Sequence, residues 1–271
     1  MYQVRKVDDV ACPELAPYRS MRKMTDQQGQ GIFVAEGQKV VTRLLETDFR
    51  IHSVLLTEEW LERLGPSLDR RPENIPAFIT DKEGISALTG YGCFQAIKAV
   101  VSIPAPLELD AWVSQAVSPR FFVAMDGLSS SENVGALVRN AAGFGAQGLL
   151  VGPTSCSPYI RRAVHSSMGT IFKLPVHHSG DLAQTLAKLR KQGIQTVAAH
   201  PHTNQRTLDQ VDFTRDTCVV LGSEGEGLSP EVLDQCEHQV LIPMAHGTDS
   251  LNVASAAAVF FYEVFRQRFV G

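Results

Sequence analysis

The sequence predicts an α/β fold, with a smaller N-terminal α/β domain followed by a domain built on a parallel sheet. Three observations carry this reading. The second half holds short, wholly apolar runs that suit strands buried on both faces, FFVAM (121–125) foremost. Helix signals fall between those runs, the alternation that a parallel sheet with helices on both faces requires. Between the halves, SIPAPLELDAWVSQAVSPR (102–120) carries Pro104, Pro106 and Pro119 and no sustained period of either kind. A linker over 106–118 therefore separates a domain at 1–105 from one at 119–271.

In the first domain, QKVVTRLLET (38–47) has apolar residues at helical spacing. SVLLT (53–57) reads as a strand, with Thr57 placed to cap the helix EEWLERLG that follows. PAFIT (76–80) is a second strand with Asp81 as the next cap, and FQAIKAVVSIP (94–104) a third. In the second domain, GLLVG (148–152), QTVAAH (195–200), TCVVLG (217–222) and QVLIPM (239–244) follow FFVAM at helix-sized intervals. Asp181 caps LAQTLAKLRKQ and Gly193 stops it, while Ser229-Pro230-Glu231 forms a helix start.

Composition bounds the function. At 271 residues, 44% hydrophobic and 20% charged, the chain is ordinary globular protein, and its net charge of −4 argues against a generic nucleic-acid coat. The five cysteines are scattered without a C-x-x-C pair, as expected of idle thiols in a reducing compartment. MYQVRKVDDV lacks an apolar signal core, and no run is long and apolar enough to span a membrane. A cytoplasmic protein is expected.

GFGAQG (143–148) matches the glycine fingerprint of dinucleotide-binding enzymes, but its flanks are in the wrong order. That chemistry needs strand, glycine turn, helix, so that a helix N-terminus faces the pyrophosphate. Here the helical NVGALVRNAA precedes the turn and the strand LLVG follows it. Gly143 and Gly145 are better read as a helix C-cap, and an oxidoreductase is excluded.

Three polar, glycine-bearing stretches follow strands, at the strand ends where open α/β sheets bind ligands. In DGLSSSENVGALVRNAAGFG (126–145), Asn133 occupies a position suited to an N-cap. Arg139 shares a face with Gly135 and Ala142, leaving room beside its guanidinium for a planar or phosphate-bearing group; an ordinary surface Arg is the alternative. In LGSEGEGLSPEV (221–232), three glycines let backbone approach a ligand, while Glu224 and Glu226 favour cations or ribose hydroxyls over phosphate. The third stretch, PMAHGTDSLNVASAAAVFFYEVFRQR (243–268), places Ser250 and Asn252 before a helix that is small at its start and aromatic later. Those two residues could equally be plain caps. His177-His178 and His200-Pro201-His202 lack partners at ligand spacing, so no metal is expected, and no G-x-S-x-G elbow supports a serine triad.

Together these stretches resemble the SpoU/TrmH-type RNA 2′-O-ribose methyltransferases of the SPOUT superfamily. The pattern N-x-G-x-x-x-R-x-A-x-x-F-G runs from Asn133 through Gly135, Arg139, Ala141 and Phe144 to Gly145. G-x-E-G-x-G-L runs from Gly222 through Glu224, Gly225 and Gly227 to Leu228, and I-P-M with S-L-N-V falls at 242–244 and 250–253. YRSMRKM (18–24) with FVAEG (33–37) resembles the start of the small RNA-binding domain of many members, and SSMGTIFKLPV (166–176) the segment joining the first two motifs. Two positions depart: GYGCFQAIKAV (90–100) lacks the common His-Gln-Gly, and His165 stands where many relatives carry Arg. Both bear on the RNA target and not on the reaction.

The resemblance implies a C-terminal trefoil knot holding S-adenosylmethionine, and a homodimer in which Arg139 of one subunit completes the other's site. It implies cofactor contacts at Leu221, Gly222, Ser223, Gly227, Ile242, Met244 and Leu251. Catalytic roles fall to Arg139, Asn133, Glu224, Ser250 and Asn252, and RNA contacts to Arg19, Arg22 and Lys23, in rRNA or tRNA. No membrane or metal partner is implied. A non-catalytic RNA-binding relative is the alternative, but its signature, loss of Arg139, Asn133 or Asn252, is absent.

Overall fold

A computed structural model describes residues 2–7, 9–19, 29–90, 96–245 and 249–270. The chain forms two compact units, one of residues 1–105 with 159–172, the other of 106–158 with 173–271.

The first unit runs β1 (Tyr2–Lys6), α1 (Ala16–Arg19), β2 (Ile32–Glu36), α2 (Gln38–Leu45), β3 (Ile51–Leu56), α3 (Glu58–Asp69), β4 (Ile75–Ile79), α4 (Lys82–Thr89) and β5 (Ile97–Ser102). Its five-stranded sheet has the order β1-β4-β3-β5-β2. The first three strands are parallel, and β5 runs antiparallel to both neighbours. The helical spacing of α2 buries Val40, Val41, Leu44 and Leu45. Asp81 caps α4 as expected, accepting from Gly84 N at 2.7 Å. Thr57 precedes α3 but its side chain makes no capping bond; the hydroxyl is buried without a hydrogen-bond partner among the described residues. Glu58 and Glu59 in the first turn favour that helix end instead.

The second unit begins where a linker was expected. Residues Leu109–Gln115 form α5, which buries Leu109, Trp112 and Val113 in the core. Trp112 lies so close over Gly148 that a Cβ there would meet its ring at 2.3 Å, and its ring centroid is 4.4 Å from that of Phe122. The i, i+3, i+4 spacing of these three residues is helical, but too short a pattern to stand out between prolines.

The unit continues through β6 (Phe121–Met125), α6 (Ser131–Gly143) and β7 (Gly148–Val151). The chain then contributes α7 (Arg161–Ser166) to the first unit. It returns as β8 (Val176–His178), α8 (Leu182–Lys191), β9 (Gln195–Ala199), β10 (Arg206–Thr207), β11 (Thr217–Leu221), α9 (Pro230–Asp234), β12 (His238–Leu241) and α10 (Val253–Phe269). These strands make a seven-stranded sheet of order β10-β12-β9-β11-β6-β7-β8 with every pair parallel. Burial of all five residues of both β6 and β11 explains why their sequences read as continuous apolar runs.

The turn after α6 bears out the C-cap reading for Gly145, which has φ +82°, with Ala146 N donating to Ala141 O at 2.9 Å; Gly143 is instead the last helical residue, with Phe144 following it. At the opposite end of the sheet from that expected to bind ligand, Arg268 donates to the carbonyls of Pro119, Arg120, Phe213 and Arg215 at 2.7–3.0 Å. The last turn of α10 is thereby tied to the starts of β6 and β11. Burial pushes the Cys236 thiol up to about 12 and raises that of Cys218, so both remain protonated packing groups. Among the described residues no helix is long and apolar enough to cross a membrane.

Candidate active site

The loop leaving β11 is closed on itself. Ser223 and Gly227 exchange backbone hydrogen bonds of 2.9 and 3.1 Å, and Ser223 Oγ accepts from Glu226 N at 3.1 Å. Gly227 sits at φ +73°, which favours glycine. Gly222 is constrained by space: a Cβ there would lie 2.3 Å from Gly227 C and 2.4 Å from Leu228 N. Buried Asp126, just past β6, accepts from both Ser229 N and Ser229 Oγ at 2.8 Å, and its own N donates to Leu221 O at 2.9 Å. Ser229 therefore starts α9 by position only; its hydroxyl anchors the loop to β6.

Asn133 does not cap α6. Ser130 does, accepting from Asn133 N at 3.3 Å, so Asn133 lies within the first turn with its side chain released. Asn133 Nδ2 donates to Glu224 Oε1 at 2.6 Å. Asn252 Nδ2 donates to the same oxygen at 2.7 Å and lies 3.2 Å from Asn133 Oδ1, while Asn252 Oδ1 caps α10 by accepting from Ala254 N at 2.9 Å. Three segments far apart in sequence thus converge on one carboxylate. Asn140 reinforces the arrangement, donating from Nδ2 to Ala254 O at 2.8 Å across the α6–α10 packing.

The C-terminal ends of β9, β11 and β12 enclose a cavity of about 580 Å³, within the range of small-molecule sites. Leu221, Gly222, Ser223, Gly227, Ile242, Met244 and Leu251 all line it, together with Glu224, Ser250 and Asn252. Asn133 reaches the lining only through Glu224. Arg139 lies outside it, exposed on α6 and without a hydrogen bond or ion pair among the described residues. Sequence reasoning passed over His200 and His202 as cavity residues, having weighed them only as metal ligands. The structure places both on the wall, their rings 6.3 Å apart, with His200 N bonded to Val240 O at 2.9 Å. Burial, and then His202, holds the His200 imidazole below the ordinary range. Their place just after β9 was the available signal.

The family model described as the SpoU rRNA Methylase family matches residues 120–262, a span that includes the loop, the two asparagines and the cavity. The chain belongs to the SpoU rRNA methylase family. An uncharacterized tRNA/rRNA methyltransferase of Mycobacterium tuberculosis is 30% identical over 270 residues, covering 96% of this chain and 91% of the relative. One from Synechocystis is 28% identical over 257 residues, covering 94% and 92%. The crystal structure of the SpoU methyltransferase AviRb from Streptomyces viridochromogenes matches at a TM-score of 0.82 and 25% identity, over 96% of this chain and 99% of that one. AviRb in complex with the cofactor AdoMet matches at 0.81.

In this SpoU family member only one of the three residues expected to meet RNA is among the described residues. Arg19 ends α1, exposed, with its guanidinium bonded to Cys12 O. Arg22, Lys23 and most of the departing stretch at 90–95 lie outside the described residues.

Proposed function

We propose that this chain is an S-adenosylmethionine-dependent RNA methyltransferase acting on a ribose 2′-hydroxyl of rRNA or tRNA. The observation that carries the reading is convergence: every residue assigned to the cofactor from motif resemblance lines one cavity. The donor set suits the cofactor. Apolar Leu221, Ile242, Met244 and Leu251 offer surface to an adenine ring, and the loop backbone at 222–227 offers polar groups. Glu224, Glu226 and Asp249 line the cavity with no Lys or Arg beside them among the described residues, which favours a cationic ligand.

S-adenosylmethionine supplies the electrophilic methyl group on its sulfonium. The chain's own work is placement. Asn133 and Asn252 hold Glu224 in one orientation, where its second oxygen can accept from a ribose hydroxyl or a cation. Ser250 and the capped start of α10 shape the same wall. Arg139, always charged, holds an RNA phosphate and orients the hydroxyl for in-line attack. Alignment of this kind contributes on the order of 7–11 kcal/mol in well-oriented systems.

A homodimer accounts for Arg139 standing outside the lining of its own chain's cavity: the guanidinium serves the partner's. The half-exposed Tyr262 and the exposed Phe269 and Val270 on and after α10 give such a contact an apolar face. The chain after β12 forms the trefoil knot of the superfamily in this reading, the first unit binds RNA, and the protein works in the cytoplasm.

Calorimetry with S-adenosylmethionine and NADH, followed by methyl transfer to total RNA from a strain lacking the gene, tests the proposal. S-adenosylmethionine should bind and NADH should not. Arg139→Ala should abolish transfer while leaving cofactor affinity within about twofold. Full transfer by that variant, or absence of cofactor binding, overturns the reading.

A further inference from the structure

β9 lies between β12 and β11 in the sheet, so its C-terminal end opens between the end that leads to Ile242 and the end that carries the glycine loop. His200 is the first residue past β9, and its N donates to Val240 O at 2.9 Å, fixing the backbone there to β12. His200 and His202 both line the cavity, the first half-buried and the second exposed, with ring planes at 89° and centroids 6.3 Å apart.

Among the described residues, the ionisable side chains lining the cavity are His200, His202, Glu224, Glu226 and Asp249. The elements packed around His200 add no fixed cation to the wall. β11 carries only Cys218, buried and protonated. On β12, His238 stands at the other end of the strand from Ile242, beside Glu237, which Arg215 also approaches. Arg206 on β10 pairs in register with Val240 but lies outside the lining, and α10 lines the cavity before its first charged residue, Glu263. Burial, and then His202, holds His200 below the ordinary imidazole range, so near pH 7 the three carboxyl groups share the wall with a neutral ring. Imidazole is the side chain whose charge ordinarily changes between pH 5 and 8. The sign of this cavity is therefore adjustable.

We propose that His200 and His202 are specificity-determining residues that set the cavity's preference by charge: uncharged, they let its acids favour the sulfonium donor over the neutral thioether left after transfer, and as cations they remove that preference. This rests on the reading of the cavity as the S-adenosylmethionine site. In methyl transfer the carbon–sulfur bond breaks with its electron pair left on sulfur, the methyl joins the ribose oxygen, and the hydroxyl proton departs to water. The bound ligand thus loses one positive charge with little change of shape, which leaves charge as the means of telling donor from product. At partly exposed sites a unit charge a few ångströms away is worth on the order of fivefold in affinity.

The test is calorimetry on the full-length protein with S-adenosylmethionine and S-adenosylhomocysteine between pH 7.5 and 5. In the wild type the ratio of the two affinities should fall about fivefold in the donor's disfavour as pH drops. Near pH 6, binding of S-adenosylmethionine should release more protons than binding of S-adenosylhomocysteine, read from heats in buffers of different ionisation enthalpy. Both effects should vanish in His200→Gln/His202→Gln, whose remaining pH dependence belongs to the carboxylates and the ligands. His200→Lys should hold the ratio about fivefold below the wild type at pH 7.5. Circular dichroism checks the fold of each variant, and the wild-type measurements stand without them. A ratio that does not change with pH in the wild type, or that falls equally in the double variant, overturns the proposal while leaving the cofactor site intact. Equal loss of both ligands in the variants overturns it too, giving the histidines a packing role only. A wild-type protein that binds neither ligand at pH 7.5 overturns the cofactor reading along with it.

Discussion

Asn252 serves two structures at once: its Oδ1 caps α10 through Ala254 N at 2.9 Å, and its Nδ2 holds Glu224 Oε1 at 2.7 Å. One amide therefore couples the start of a long helix to the carboxylate of the glycine loop. The two roles are separable, because serine can accept at an N-cap but cannot reach Glu224 with a donor. Asn252→Ser should keep stability within a few tenths of a kcal/mol, whereas Asn252→Ala should lose about 1 kcal/mol. Both should lower methyl transfer by about tenfold or more, the loss of one charge-assisted hydrogen bond. Urea melts beside single-turnover rates would show whether the losses separate; equal activity of the Ser variant and the wild type would leave Asn252 as a cap only.

The glycines of the loop divide by available space. At Gly222 an added methyl meets backbone of Gly227 and Leu228 at 2.3–2.4 Å, whereas at Gly225 nothing lies within 4 Å. Gly222→Ala must therefore open the closed turn and should reduce S-adenosylmethionine affinity at least about tenfold, or ~1.4 kcal/mol. Gly225→Ala should bind within about twofold of wild type. Calorimetry on the two variants checks this, and equal affinities would show that the turn does not shape the cavity.

Much of this site is legible in the sequence because buried parallel strands leave an unmistakable trace. FFVAM and TCVVL are apolar throughout since both faces are covered, and the polar stretches behind them mark the ligand end. What escaped was decided by tertiary contact. Ser129, Ser130, Ser131 and Asn133 are all capable caps, and only the bond from Asn133 to Glu224 settles that Ser130 takes the role. Trp112 reads as linker until Gly148 is seen beneath it. The assignment of Tyr159–Phe172 to the first unit rests on rings more than a hundred positions away, for which no local period exists.

Acid should destabilise the fold in two stages. Burial is the leading cause holding the imidazoles of His52, His178, His200 and His238 below the ordinary 6.5, aided by Arg50, His177, His202 and Arg206 respectively. Above 6.5 these groups are neutral in both folded and unfolded chains and contribute nothing to the pH dependence. As pH falls below 6.5 the unfolded chain takes up protons that the fold resists, so stability declines until the folded values are passed. Carboxylates act lower. For Glu36 and Asp216 burial opposes ionisation but is outweighed, by Lys98 and Arg161 in one case and by Ser118 and Arg120 in the other. Their contribution is complete above the ordinary 4.5 and 3.8 and is lost as pH falls through the depressed folded values. Urea midpoints should thus begin to fall near pH 6.5, before the carboxylate stage. A midpoint constant from pH 7 to 5.5 would contradict the first stage, and His200→Gln should reduce its size.

A protein shortened to begin at residue 106 should retain its cavity and lose its solubility. Among the described residues, all that line the cavity lie between Ala199 and Phe260, so the proposed cofactor site draws none of them from the first hundred residues. The segment Tyr159–Phe172 is not. Tyr159, Ala163, Val164, Ile171 and Phe172 are buried, and truncation removes Phe33, Phe49 and Val40 from around them while leaving Arg161 without Glu36. Each large side chain so uncovered forfeits about 1.5–3 kcal/mol of burial, and together they make an adhesive apolar patch. The shortened protein should bind S-adenosylmethionine within a few-fold of wild type, aggregate at micromolar concentration, and be cut by chymotrypsin at Tyr159 and Phe172. Polar replacements at those two positions should restore solubility without altering cofactor affinity. A shortened protein that stays free of aggregates and resists cleavage there would show that the segment holds its shape unaided, and that the first unit is complete at residue 105.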